Sequence, residues 1–171
     1  MEKQNETAES SLKTYILENT PARIRERYAH LKEYAQTHTF GALDADVVVL
    51  DTETTGFSFN HDELIQIAAA RMCNGEIVEW YVTFVNPGKE IPDEVAHLTN
   101  IHEEDVADAP DPDTALAGLV DFVGDSLVVA HNVGFDRTFV TKRAAGATLK
   151  NNIWIDSLDL ARIALPRLSL I

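Results

Sequence analysis

Two short apolar runs, Val47-Val48-Val49-Leu50 and Leu127-Val128-Val129-Ala130, each pass directly into residues capable of chemistry. That repeated arrangement constrains the fold more than any other feature of the chain. Four consecutive residues rich in valine, bounded by polar positions, read as buried central strands of a sheet. The first run leads into Asp51-Thr52-Glu53-Thr54-Thr55-Gly56 and the second into His131-Asn132-Val133-Gly134-Phe135-Asp136. Placed side by side in one sheet, the two strands deliver both strings to its carboxyl edge, where open α/β sheets hold their ligands.

The rest of the chain supplies such a sheet. Glu63 to Arg71 and Ile77 to Val85 read as strands, with Cys73-Asn74-Gly75 turning between them, and the short Asn-Gly connection makes the pair an antiparallel hairpin. Pro92 to Leu98 reads as a short helix. Asp111-Pro112 caps a second helix, which carries Leu116, Leu119, Val120 and Val123. Asp136 to Ala145 is expected to be helical, Ile153-Trp154-Ile155 a last strand, and Ser157 to Ala164 a last helix before Pro166. Three strands, then helices, then strand–helix–strand–helix define an α/β fold with a mixed sheet and flanking helices.

Before the sheet, residues 1–43 read as a helical extension, and residues 44–171 as the principal domain. Thr20 suits an N-cap and Pro21 the first helical position. Ile24, Tyr28, Leu31 and Tyr34 or Ala35 then form one apolar face. Arg23, Arg25, Arg27 and Lys32 lie on or beside this helix, either as a solvated face or as phosphate contacts.

The net charge of −14 is unevenly spread: residues 1–40 hold 6 basic and 6 acidic side chains, and residues 41–171 hold 8 and 22. A protein that coats duplex DNA needs a positive surface to displace counterions, so that class is disfavoured. An acidic domain can still meet a polyanion through divalent cations, gripping a few nucleotides at an end. No apolar run approaches the ~18 residues of a membrane span, and the N-terminus lacks signal-peptide character. The single cysteine, Cys73, excludes an internal disulfide, suits a cytoplasmic location and is expected to be a small buried hydrophobe.

Asp51 and Glu53 are two apart on a strand, so their carboxylates project to the same side of the sheet. Like charges held that close repel unless a cation intervenes, and the pair asks for a hard divalent metal. Gly56 is expected to let the backbone turn and to leave open space above the pair. Asp136, at the start of a helix after the second buried strand, can reach over the same sheet. Asn132 and Phe135 stand beside it as a polar and an aromatic contact, with Phe135 equally suited to the core.

These strings resemble a known family. Val49 to Phe57 and Ala130 to Asp136 are similar to the first and second exonuclease motifs of the DEDDh 3′–5′ exonucleases, which include the proofreading (epsilon) subunit of bacterial DNA polymerase III and ribonuclease T. Phe84-Val85-Asn86-Pro87-Gly88 and His97-Leu98-Thr99-Asn100-Ile101 resemble the polymerase III type, and Asp156-Ser157-Leu158 resembles the start of its next helix. The likeness covers about residues 44 to 168. It implies a ribonuclease H-like sheet and two bound Mg²⁺ or Mn²⁺ ions. Asp51 would bridge the ions, Glu53 would hold the nucleophile-side metal, and Asp136 the other. Thr54 and Phe57 would contact the terminal nucleotide, and the product would be a nucleoside 5′-monophosphate. The partners implied are a single-stranded DNA 3′ end, or RNA, and a replicative DNA polymerase, with no membrane.

The chain departs from the family at the third motif, a histidine followed five residues later by an aspartate; the histidine is the general base. The six histidines are His30, His38, His61, His97, His102 and His131, and none follows residue 131. Downstream, Asp156 suits a helix cap and Asp159 a solvated helix position. The ending at Leu168-Ser169-Leu170-Ile171 suggests an exonuclease domain lacking its C-terminal part. Loss of a covering helix would leave an apolar patch and favour self-association. Two readings follow: a metal-dependent 3′–5′ exonuclease for proofreading or end trimming, or a catalytically inactive module of the same fold that binds a polymerase or a nucleic-acid end.

Overall fold

A computed structural model describes Pro21, Ala22, Arg25, Glu26, Ala29 and residues 46–164, the side chains of Ile163 and Ala164 excepted. Ala22, Arg25, Glu26 and Ala29 are helical and exposed, and the Arg25 N–H donates to the Pro21 carbonyl at 3.1 Å. The remaining positions assigned to that helix, Thr20, Ile24, Tyr28, Leu31 and Tyr34 among them, lie outside the described residues. The chain divides into two compact units, residues 41–155 and residues 1–40 together with 156–171.

Five strands form one sheet: β1 (Val47–Thr54), β2 (Leu64–Cys73), β3 (Glu76–Phe84), β4 (Leu127–Ala130) and β5 (Trp154–Asp156), in the order β3-β2-β1-β4-β5. β1 pairs antiparallel with β2 and parallel with β4, so the sheet is mixed, as expected. Register places Val49 opposite Ala70 and Val129, and Asp51 opposite Ala68. The β2–β3 turn is the two residues Asn74 and Gly75, both with positive φ (53° and 81°), which matches the twist of the strands they join.

Four α-helices are described in the larger unit before β5: α1 (Asp93–Thr99), α2 (Glu103–Val106) and α3 (Pro112–Val123) precede β4, and α4 (Gly134–Thr141) follows it. A 3-10 helix spans Ala144–Asn151. Asp111 caps α3 as its sequence predicts, its carboxylate accepting from the N–H groups of Asp113 (3.0 Å) and Thr114 (3.1 Å). α2 escaped the periodicity because it is one turn long. Its signal is the cap, in which the His102 N–H donates to Asp105 Oδ2 at 2.8 Å. In the other unit, α5 (Ser157–Ala164) begins where Asp156 Oδ1 accepts the Leu158 N–H at 3.0 Å. Asp156 itself closes β5 and does not begin the helix. Among the described residues no helix is long and apolar enough to cross a membrane.

The core lies on one face of the sheet. Val48 and Leu50 of β1, Ile67 and Ala69 of β2 and Val128 of β4 pack with α3, α4 and Leu149, and each fully buried Leu or Ile contributes about 1.5–3 kcal/mol. A smaller cluster of Ile65, Ile91, Ile101 and Val106 holds α1 and α2.

Several expectations are corrected. β1 is not buried on both faces: its residues alternate, and Val49 is 38% exposed because the core cluster sits on the opposite face. The same face of β3 exposes Trp80 and Val82. α4 stops at Thr141 instead of running to Ala145. Gly146 returns against the Val140 carbonyl so closely that a Cβ there would lie 1.8 Å from the oxygen, a reversal that a continuing helix forbids. Cys73 is only half-buried, since it ends β2 at the hairpin turn. Asp159 is buried, not solvated, and lies 3.4 Å from Arg162 one turn on.

Candidate active site

The site grows out of the last four residues of β1. Alternation sends Thr52 and Thr54 toward the core face and Asp51 and Glu53 to the other, where Asp51 is exposed and Glu53 half-buried. Burial, and then the neighbouring Asp51 carboxylate, hold the Glu53 carboxyl above its ordinary range.

Asp136 arrives from the first turn of α4, directly after β4, and is 2% exposed. Its Oδ1 accepts a 2.7 Å hydrogen bond from the Thr52 hydroxyl. Burial pushes the Asp136 carboxyl up to about 6; the Thr52 bond opposes this, and the charge of Asp51 adds to it. Asp51 therefore acts electrostatically on both other carboxyls, in the sense that disfavours their ionisation without a cation.

Of the remaining predicted positions, Thr54 is buried and its hydroxyl donates to the Gly56 carbonyl at 2.6 Å. Asn132 is exposed and left-handed (φ 61°) in the turn between β4 and α4. Phe57 is 82% exposed, with its ring 6.0 Å from that of the half-buried Phe135. Phe135 serves both alternatives, since it packs on the core cluster and also contacts Phe57. Gly56 does not leave open space: the Asp62 carboxylate fills it, and a Cβ on Gly56 would lie 2.5 Å from Asp62 Oδ2.

Asp62 is the hub of the loop from Thr55 to Glu63. Its carboxylate accepts from the Thr55 hydroxyl (3.0 Å) and the Ser58 N–H (2.9 Å), and Lys89 lies 3.4 Å away. Burial pushes this carboxyl up, but those three donors together outweigh it and hold the group below its usual range. Thr52, Phe59, Asp62 and Lys142 were not singled out from sequence. The hydroxyl between the two acids signals Thr52, and the Phe-x-Phe spacing signals Phe59; Lys142 reaches this loop from 80 positions away, with no local signature.

Among the described residues no three Asp, Glu, His or Cys side chains close around one point as a complete metal cage. The donor set nevertheless fits a hard divalent ion. Magnesium takes one or two protein carboxylates and completes its shell with water and substrate phosphate, and the mutual repulsion centred on Asp51 is what such a charge relieves.

A mixed sheet of this order, with carboxylates gathered beside the end of its central strand, defines a ribonuclease H-like α/β domain of the nuclease class. Residues 48–170 match the RNase T exonuclease family, and the chain belongs to it. It is 42% identical over 129 residues to the DNA polymerase III PolC-type of Clostridium perfringens, covering 74% of this chain and 9% of that protein. With the PolC-type polymerase of Staphylococcus aureus the identity is 37% over 121 residues, covering 70% and 8%. The chain thus spans about a tenth of the length of these curated relatives. Among solved structures, exonuclease X in complex with 5′ overhanging duplex DNA matches with TM-score 0.55 at 26% identity, covering 72% of this chain and 66% of that one. E. coli exonuclease I in complex with a dA13 oligonucleotide shares the fold, with TM-score 0.61 at 20% identity over 72% and 31%. Exonucleases of this family generally use divalent metal ions.

Proposed function

We propose that this chain acts as a metal-dependent 3′–5′ exonuclease of the DNA polymerase III type, releasing nucleoside 5′-monophosphates from single-stranded 3′ ends in proofreading or end trimming. Residues 44–171 are read as the exonuclease domain and residues 1–43 as a helical extension. The observation that carries the reading is the pairing of Asp51 and Glu53 on one face of β1 with Asp136, which Thr52 ties to the same strand. Similarity to PolC-type polymerases supports a polymerase context, and exonuclease I with a bound oligonucleotide supports a single-stranded DNA substrate.

In this reading Asp51, Glu53 and Asp136 would hold two Mg²⁺ or Mn²⁺ ions. Such ions, when bound, activate the attacking water and stabilise the leaving 3′ oxygen. The chain's own residues position the end. The exposed Phe57 ring, backed by Phe135, stacks on the terminal base, a contact indifferent to sequence because every base has a π-face. The Thr54 hydroxyl fixes the turn that presents Phe57, and Asn132 offers a polar group at the second turn. Thr52 holds the Asp136 carboxylate in orientation.

The test uses one oligonucleotide labelled at either end, in Mn²⁺. A 3′ label released at once as a mononucleotide, with the 5′ label descending stepwise, supports the reading. Binding without release would favour the inactive module.

A further inference from the structure

Lys142, the residue after α4, carries no assigned role, yet its side chain is only 18% exposed. Its Nζ donates to the Asp62 carbonyl at 2.5 Å and to the Phe59 carbonyl at 3.4 Å. It also lies 3.4 Å from Glu63 Oε2 and 4.6 Å from the centre of the Phe139 ring. A lysine that only answered its own helix would turn back to the last carbonyls of α4. This one instead directs its donors across 80 positions onto the loop between β1 and β2.

What that loop presents is Phe57. The Phe57 ring is 82% exposed and, among the described residues, meets one aromatic ring, Phe135, at 6.0 Å between centroids, so the loop backbone that carries it sets where it stands. Phe59 is 43% exposed but lays its ring against two aromatics, 5.2 Å from Phe139 and 6.1 Å from Phe135, and so ties the loop to α4. Lys142 thus grips the loop carbonyls above Phe139 while Phe59 grips the same ring by its side chain.

We propose that Lys142 is a positioning residue that holds the Phe57–Phe59 loop as a preorganised stacking platform for the 3′-terminal base. The proposal rests on the reading of the site as a binder of nucleic-acid ends. A fixed loop has already surrendered the freedom that a mobile one loses on binding, so the ring gives its full stacking contribution. Releasing the loop should weaken binding about 3- to 10-fold, less than the roughly 5- to 100-fold expected on removing the ring itself.

The experiment uses the full chain without turnover, in Ca²⁺, with a single-stranded oligonucleotide ending in 3′ 2-aminopurine, whose fluorescence is quenched by stacking. Lys142→Met is expected to bind this end 3- to 10-fold more weakly and to quench it less, with affinity for the same oligonucleotide ending in an abasic site unchanged. Lys142→Arg is expected to restore most of the quenching. Combined with Phe57→Ala, Lys142→Met should add nothing further, since it acts only through that ring. If Lys142→Met does not fold, Lys142→Gln goes through the same cycle. Equal weakening toward both ends, unchanged quenching in a folded variant, or no quenching by the wild-type chain would overturn the proposal. Failure of the exonuclease reading appears separately, as quenching without digestion in Mn²⁺.

Discussion

The hydroxyl of Thr52 donates a 2.7 Å hydrogen bond to Oδ1 of Asp136, across 84 positions of sequence, with both side chains buried. It joins the central strand to the first turn of α4 and opposes the upward pull of burial on the Asp136 carboxyl. Thr52→Val keeps the shape and deletes the donor. Denaturant unfolding at pH 7.5 is expected to show a loss of about 1.5–3 kcal/mol, the usual contribution of a hydrogen bond to a charged group, with the backbone N–H groups of Thr52 and Asp136 still donating to the carboxylate. Exonuclease kcat/KM should fall at least tenfold while Phe57-dependent end binding persists.

Asp136 gives a pH dependence whose sign is opposite to that of a salt-bridged acid. Its carboxyl sits at about 6 in the folded chain, above the ordinary 3.8. Below pH 3.8 both states are protonated and the group is neutral toward stability. Between 3.8 and 6 the unfolded chain ionises first, so stability falls as pH rises, by roughly 3 kcal/mol in all, and stays down above 6. With EDTA present, Asp136→Asn is therefore expected to raise Tm at pH 7.5 and to match the wild type near pH 4. Adding Mn²⁺ at pH 7.5 should stabilise the wild type and narrow the gap.

Gly56 is constrained by space. A methyl group there would meet the Asp62 carboxylate at 2.5 Å, and that carboxylate is held by Thr55 and Ser58. Gly56→Ala is expected to destabilise by about 1–3 kcal/mol and to displace the loop that carries Phe57, raising KM more than it lowers kcat. Thermal unfolding and steady-state kinetics on the same variant check both parts.

Arg71 provides the contrast, a residue that holds the sheet and not the site. Its guanidinium pairs with Asp46 at 2.6 Å and Glu79 at 3.3 Å, donates to the Ser126 hydroxyl and the Phe122 carbonyl, and lies 5.0 Å over the Phe122 ring. Arg71→Met is expected to cost about 2–3 kcal/mol of stability with kcat within twofold of the wild type, measured well below the variant's Tm.

The fold was legible where local chemistry and tertiary context agree. The two valine-rich strands, the Asn-Gly hairpin and the Asp111-Pro112 cap all specify their conformations within a few residues, and β1, β4, the β2–β3 turn and α3 stand where those signals put them. Asp51 and Glu53 share a face because a strand has period two. What the chain could not announce depends on contacts distant in sequence. Val49 is exposed while α3 and α4 pack on the face of Val48 and Leu50, and four aliphatic residues in a row do not say which side will be covered. α4 ends early because Gly146 meets Val140 after the chain reverses. Gly56 is filled by Asp62, and Lys142 reaches the loop across 80 positions, neither of which any periodicity encodes.

The most direct test of the central claim is digestion of a 5′-labelled single-stranded oligonucleotide in Mn²⁺ by the wild-type chain and by Asp51→Asn. Asp51 is the carboxylate that acts on both Glu53 and Asp136, so its charge should be indispensable. A descending ladder from the wild type that Asp51→Asn loses is the predicted result. No ladder from the wild type, or one that survives the substitution, would contradict the account.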